Sequence, residues 1–353
     1  MSDIKETPYF ETSWQAPSNI ALVKYWGKKE GIQIPANPSV SLTLSEAHTK
    51  ARLSAYEGEG DIDLFFEGQK MPSFLPKIKK FFGFVEQHLP WLKDFHFKLE
   101  TSNSFPHSAG IASSASSMAA MALCLVDLEE KVIGKKREDF FERASFFARL
   151  GSGSACRSLF AHAASWGGAL APKAYSHHSF IDESATAIKI HERFENMHDS
   201  IFVVSKREKK VSSRAGHGLM DNNPYKEARF RHALENWNYC LEWLESGQWN
   251  LLGSLVEEEA LTLHAMMMAS RPGYLLMEPE TITMIHRLRE FRARTETEIY
   301  FTLDAGPNLH LLYPHDQREK SWEFIQECVA EFKGDAFVID DQVGLGPVKG
   351  CTL

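Results

Sequence analysis

The stretch Phe105-Pro-His-Ser-Ala-Gly-Ile-Ala-Ser-Ser-Ala-Ser-Ser117 runs straight into Met118-Ala-Ala-Met-Ala-Leu-Cys-Leu-Val126, and no other part of the chain restricts the fold as much. Small residues fill the loop, and an apolar run of helical length follows it. Upstream, Phe95-His-Phe-Lys-Leu-Glu100 reads as a strand, so the loop joins strand to helix. That order aims the amino end of a helix, with its unpaired N–H groups and partial positive charge, at one point. Small residues let the backbone approach an anion there, and Ser113 and Ser114 add hydroxyls, so the segment has the makings of a phosphate cradle. Serine clusters also cap ordinary helices. Residues elsewhere must separate a cradle from a cap.

Alternation from Ser13 to Tyr56, including Ser39–Leu44 and Lys50–Tyr56, predicts paired strands, continued by Asp61–Phe66. Helical spacing predicts a helix over 75–88, ended by Pro90, and two more over 114–130 and 137–150. A second small-residue loop, Gly151-Ser-Gly-Ser-Ala-Cys-Arg157, comes next, with Ser154 as the expected cap of a short helix. Strands are expected near 164–170, 185–191 and 201–205, then long helices near 224–246, 249–269 and 280–295. Strands at 298–303, 310–313 and 335–339, with a helix at 317–331, complete an α+β second half. The boundary falls near 195, giving domains of 1–194 and 195–353.

A chain of 353 residues accommodates two such domains. No stretch approaches the roughly 18 uninterrupted apolar residues of a membrane span, and the first residues lack the apolar core of a secretory leader. A soluble, cytoplasmic protein without a membrane partner is the expectation. The formal net charge of −8 argues against a nucleic-acid partner. Five scattered cysteines suggest reduced thiols rather than zinc or disulfides. Lys206-Arg-Glu-Lys-Lys210 and His177-His178 read as surface, and Met266–Met268 as helix packing. His264 and His310 fit either a cleft lining or a structural role.

Four further segments share small backbone interrupted by single ionic side chains. They are Pro17-Ser-Asn-Ile-Ala-Leu-Val-Lys-Tyr-Trp-Gly-Lys28, Gly151–Arg157, Val211-Ser-Ser-Arg214 and Leu303-Asp-Ala-Gly-Pro-Asn308. Together with the serine loop they resemble, in order and wording, the diphosphomevalonate decarboxylases of the GHMP kinase superfamily, which includes galactokinase, homoserine kinase and mevalonate kinase. The resemblance implies a two-domain α+β fold. Its N-terminal domain would be ribosomal-protein-S5-like and its C-terminal domain ferredoxin-like, with a cleft between them.

It also implies ATP-dependent decarboxylation of mevalonate 5-diphosphate to isopentenyl diphosphate, by 3-O-phosphorylation and loss of phosphate and CO2. The implied catalytic residues are Asp304, Lys24 and Arg157. The implied diphosphate contacts are Tyr25, Lys28, Ser152, Ser154, Ser213 and Arg214. Ser108, Gly110, Ala112, Ser113 and Ser114 would meet ATP, with Mg2+ accompanying its phosphates rather than held in a dedicated protein cage. A homodimer is the implied assembly. Pro38, His107 and the tract 160–166, which lacks the family's usual glycine pair, depart from the pattern and bear on fine specificity. Three alternatives stay open at this level: a 5-monophosphate decarboxylase, a 3-kinase, and a non-catalytic metabolite-binding homologue.

Overall fold

The structure, a computed structural model, describes residues 7–106, 113–168, 184–204, 213–332 and 336–353, with backbone only at Ser213 and Arg214. Its strands are β1 (Phe10–Val23), β2 (Ser39–Glu57), β3 (Ile62–Phe66), β4 (Gln69–Lys70), β5 (Phe95–Asn103), β6 (Ala163–Trp166), β7 (Ala185–Ala187), β8 (His198–Val203), β9 (Tyr300–Leu303), β10 (Leu309–Tyr313), β11 (Phe337–Gln342) and β12 (Val348–Lys349). Its helices are α1 (Leu75–Glu86), α2 (Ser113–Ile133), α3 (Phe140–Gly151), α4 (Ser213–Leu219), α5 (Lys226–Ser246), α6 (Trp249–Met268), α7 (Pro279–Thr295) and α8 (Arg318–Glu331). One sheet runs β12-β1-β2-β5-β3-β4, with β6 on β2 and β7 on β6; the other is β11-β8-β10-β9. The α+β, two-domain architecture is the one expected.

The alternation across 39–56 resolves into a single strand, β2. Its first half pairs with β6 and its second with β5. Every residue from Ser39 to Leu44 is buried, because both faces of β2 are covered there. Helix α2 explains its run of small and apolar residues from Ala115 to Val126 in the same way: every residue from Ala115 to Glu130 except Ser117 is buried, as a helix packed on all sides requires. It lies against β1, β2 and α3.

Four expectations need correction. The strand predicted at 164–170 ends at Trp166, because Gly167 and Gly168 take φ of +76° and +81° and turn the chain beside Pro35 and Pro38. The strand at 185–191 stops at Ala187. Ser152, not Ser154, precedes the short 3-10 turn Gly153–Leu159, and its hydroxyl makes no cap bond. Met268 is exposed, although Met266 and Met267 pack as expected. The two-residue strands β4 and β12 carry no periodicity and were beyond sequence reading.

A shared core joins the two sheets. Ile20, Leu22 and Val23 of β1 and Val40 and Leu42 of β2 cluster with Trp237, Cys240 and Leu244 of α5 and with Leu252 and Val256 of α6. Asp341 of β11 adds a polar clamp: one carboxylate oxygen accepts the N–H groups of Ser45 (2.9 Å) and Glu46 (2.8 Å), and the other that of Ala47 (2.8 Å). The chain end returns to the first sheet through β12, where Lys349 Nζ donates to the buried Asp127 of α2 at 2.6 Å.

Candidate active site

The site begins where β1 stops. Beyond Val23 the backbone leaves the sheet, and side chains from several elements satisfy its polar groups, as buried irregular backbone requires. Glu259 of α6 accepts the Lys24 N–H at 2.9 Å. Asn37 and Arg229 of α5 donate to the Lys24 carbonyl at 2.9 and 3.3 Å. His217 of α4 accepts the Gly27 N–H on Nδ1 at 3.0 Å. Arg229 and Glu259 form a fully buried two-pronged ion pair, both contacts 2.7 Å, and Asn236 donates to the same carboxylate at 2.8 Å. Burial opposes ionisation of Glu259, but the charge and hydrogen bonds of Arg229 prevail and hold its carboxyl below the ordinary range.

This clamp fixes the Lys24 side chain, which is 1% exposed. Its ammonium donates to the Ala21 carbonyl at 2.6 Å and to Asp304 Oδ1 at 3.0 Å. Desolvation pulls the Lys24 pKa below the usual lysine range, and the attraction of Asp304 offsets part of that. Asp304 heads the turn between β9 and β10, and its side chain is 32% exposed. The turn is braced on three sides: His264 Nε2 meets the Asp304 carbonyl at 3.0 Å, Thr281 donates to the Pro307 carbonyl at 2.7 Å, and Asn308 accepts the Val204 N–H at 2.9 Å. Asp304 is thus both a turn residue and a placed carboxylate. His264 takes the cleft-side structural role, while His310 is buried against Asp199 at 2.7 Å.

Arg157 is buried, and the groups that hold it are neutral. Its Nε donates to Ser41 at 2.9 Å, Nη1 to Ser39 at 2.7 Å and Nη2 to Asn19 at 3.3 Å. A guanidinium has five N–H donors. Among the described residues three are used, which leaves one on each terminal nitrogen, the number a carboxylate takes side by side. Asn19 in turn donates to Ser158 (2.8 Å) and to the Ser154 carbonyl (3.1 Å), locking β1 to the small-residue loop.

Gly151 and Gly153 explain that loop's composition. A Cβ on Gly151 would stand 2.4 Å from Met118 Sδ, and one on Gly153 would stand 2.8–2.9 Å from the Tyr25 ring and hydroxyl and from Trp166. Ser152 and Ser154 are half-buried between them, and Ser152 Oγ lies 3.4 Å from Ser114 Oγ at the start of α2. The Tyr25 ring lies edge-on to Trp166, its hydroxyl is buried without a hydrogen-bond partner among the described residues, and burial pushes its pKa up.

The structure therefore brings together Asp304, Lys24, Arg157, Tyr25, Ser152, Ser154 and Ser114 around the ends of β1 and β9. Lys28 is half-buried at the end of the clamped segment. Ser113 opens α2, and the backbone of Ser213 and Arg214 opens α4. Ser108, Gly110 and Ala112 lie outside the described residues, as do His107, His177-His178 and the 206–210 run.

Two family models divide the chain between them. Residues 16–180 match the diphosphomevalonate decarboxylase-like N-terminal domain, and residues 200–344 match the mevalonate 5-diphosphate decarboxylase C-terminal domain. The chain belongs to the diphosphomevalonate decarboxylase family. It is 29% identical over 345 residues to the diphosphomevalonate decarboxylase of Saccharomyces cerevisiae, covering 92% of this chain and 83% of that one. The crystal structure of mevalonate diphosphate decarboxylase from Staphylococcus aureus aligns with a TM-score of 0.82 at 27% identity, covering 96% of this chain and 97% of that one. A solved complex of MDDEF with MVAPP, AMPPCP and magnesium aligns with a TM-score of 0.83 at 27% identity, covering 97% and 99%.

Within this decarboxylase-family chain, sequence reasoning missed Asn19, Arg229, Glu259 and His217. Asn19 carried a signal, an amide inside the apolar run Ile20–Val23. Arg229 and Glu259 sit on helices as ordinary charged residues, and only the packing of α5 on α6 reveals that they are buried.

Proposed function

We propose that the protein catalyses ATP-dependent decarboxylation of mevalonate 5-diphosphate, giving isopentenyl diphosphate, ADP, phosphate and CO2. One observation carries the proposal: a buried guanidinium whose hydrogen bonds among the described residues all go to neutral groups stands in the same site as the Lys24–Asp304 ion pair. Burying a cation among neutral partners is costly, and an anionic ligand on Arg157 repays that cost. Tyr25, with a buried hydroxyl free to donate, fits a second anionic group on the same ligand.

The residues divide the chemistry as follows. Asp304 Oδ2 faces the tertiary hydroxyl of the substrate, orients it and takes its proton as the oxygen attacks the γ-phosphorus of ATP. Lys24 keeps Asp304 in place and lowers the charge of the assembled anions. A new O–P bond forms and ADP leaves with the electron pair of the broken bond to the γ-phosphorus; the substrate's own C3–O bond then breaks, with its electron pair leaving on phosphate, and cationic character develops at C3 opposite the Asp304 carboxylate. Arg157 holds the substrate carboxylate by its two remaining donors, fixing the plane of the bond that must break. That C–C bond supplies the electrons of the new alkene, and CO2 departs. Tyr25, Lys28, Ser152, Ser154, Ser213 and Arg214 take the diphosphate, whose binding orients the reacting end.

Ser108, Gly110, Ala112, Ser113 and Ser114 take the nucleotide phosphates, in keeping with the AMPPCP of the MDDEF complex. Magnesium, which that complex also contains, supplies charge neutralisation on the phosphates it accompanies. The family supports a cytoplasmic homodimer, with the domain junction near 195. Incubating the protein with ATP, Mg2+ and either mevalonate 5-phosphate or 5-diphosphate, with ADP and CO2 followed separately, tests the assignment. Matched ADP and CO2 from the diphosphate alone is the expected result. ADP without CO2 means a 3-kinase, and neither product removes the enzymatic assignment.

A further inference from the structure

His217 is a buried group beside Tyr25 that the mechanism above leaves unused. It is buried between two aromatic rings, with centroids 4.3 Å from Tyr25 and 4.6 Å from Trp26. Its Nδ1 accepts the Gly27 N–H at 3.0 Å, so in the neutral ring the proton must sit on Nε2. Among the described residues Nε2 has no hydrogen-bond partner. Burial, with Lys28 adding repulsion, pushes the His217 pKa down to about 3. A fixed neutral donor thus stands beside Tyr25 and Lys28.

We infer that His217 is a specificity-determining residue that donates its Nε2–H to a phosphate oxygen at the diphosphate end of the substrate. The inference rests on the function proposed above and adds to it a donor on α4. A phosphate oxygen suits the position because Lys28 supplies charge next to it, whereas His217 supplies direction. Protonation of Nδ1 would break the Gly27 contact, so the imidazole stays neutral and its donor persists across the physiological pH range. The same ring therefore has two jobs on its two nitrogens: Nδ1 shapes the 24–28 segment, and Nε2 meets the ligand.

Amide substitutions separate the two jobs. In His217→Asn the side-chain oxygen can occupy the Nδ1 position, and nothing reaches the Nε2 position. In His217→Gln the amide N–H2 can reach the Nε2 position instead. His217→Asn is expected to keep the unfolding midpoint within a few degrees and to raise KM and Kd for mevalonate 5-diphosphate about 10- to 100-fold, the range for one hydrogen bond to a charged group. Its KM for ATP is expected to stay unchanged. His217→Gln is expected to recover most of the substrate affinity with a lower unfolding midpoint. Unchanged substrate affinity in His217→Asn, or equal loss in both variants, overturns the inference. Wild-type protein that releases neither ADP nor CO2 overturns the functional assignment instead.

A measurement on the unaltered protein covers variants that fail to fold. In 15N-histidine NMR the ring is expected as the Nε2–H tautomer, with its proton resonance moving downfield on addition of mevalonate 5-diphosphate. An Nδ1–H tautomer, or no movement at saturating substrate, also overturns the inference.

Discussion

At the scale of single residues, chemistry here follows from which charges burial sets side by side. Asp304 holds one oxygen on Lys24, and 32% of its side chain is exposed. Asp304→Asn keeps the shape and removes the base, so turnover is expected to fall roughly 10²-fold or more with ATP binding retained, measured by steady-state rate and nucleotide titration. A near-normal rate would mean that the carboxylate is not the base. Arg157→Lys keeps the charge but cannot hold Ser39, Ser41, Asn19 and a carboxylate together. Its CO2 release is expected to drop at least about 10-fold, and full activity would show that side-by-side geometry is dispensable.

Lys24 carries the pH dependence at this scale. Desolvation disfavours its ammonium, so the proton leaves at a pH below the ordinary lysine range. The alkaline limb of kcat/KM is therefore expected below about 10.4, the unperturbed lysine value, and it should disappear from the profile of residual activity in Lys24→Met. The burial of Lys24 was legible in the sequence because a lone lysine between Ile20 and Trp26 has no solvent face to occupy. The partners of Arg157 were not: Ser39 and Ser41 look like ordinary alternating strand residues until β2 is placed beside Arg157.

At the scale of elements, the decisive feature is a strand that ends in irregular backbone held by side chains. Glu259 accepts the Lys24 N–H while Arg229 neutralises Glu259. Glu259→Gln leaves a buried guanidinium without its carboxylate, and a loss of about 3–5 kcal/mol in denaturant unfolding is expected. Replacing both residues by methionine should restore much of that stability, because an apolar pair needs no charge balance. It should not restore turnover, since the Lys24 N–H then lacks its acceptor. Full turnover in the double variant would show that the pair is only packing. Helices α5 and α6 were readable from their spacing, but their pairing is a long-range fact. Hydrophobic periodicity locates a helix face without saying which charged residues a neighbouring helix will enclose.

At the scale of the whole molecule, the two sheets are joined by a shared apolar core and by the Asp341 clamp. Asp341→Ala strips the acceptor from three N–H groups at 45–47, and a loss of about 2–5 kcal/mol is expected in equilibrium unfolding. An unchanged midpoint would assign the joining to the core alone. The α+β class and the division into halves were visible in the order of elements, because strands and helices have different periods. Sheet order was not, since β12 contributes two residues without periodicity, and the strand read at 335–339 carries no sign of which strand it will pair with.

The return of β12 to β1 has a consequence for biosynthesis. Residues 348–349 leave the ribosome after every element of the second sheet, yet they complete the edge of the first and bring Lys349 to Asp127 inside α2. The N-terminal half of the nascent chain therefore carries an open strand edge and a buried carboxylate without that lysine throughout synthesis of the C-terminal half. It becomes a finished domain only when the later half has already been made.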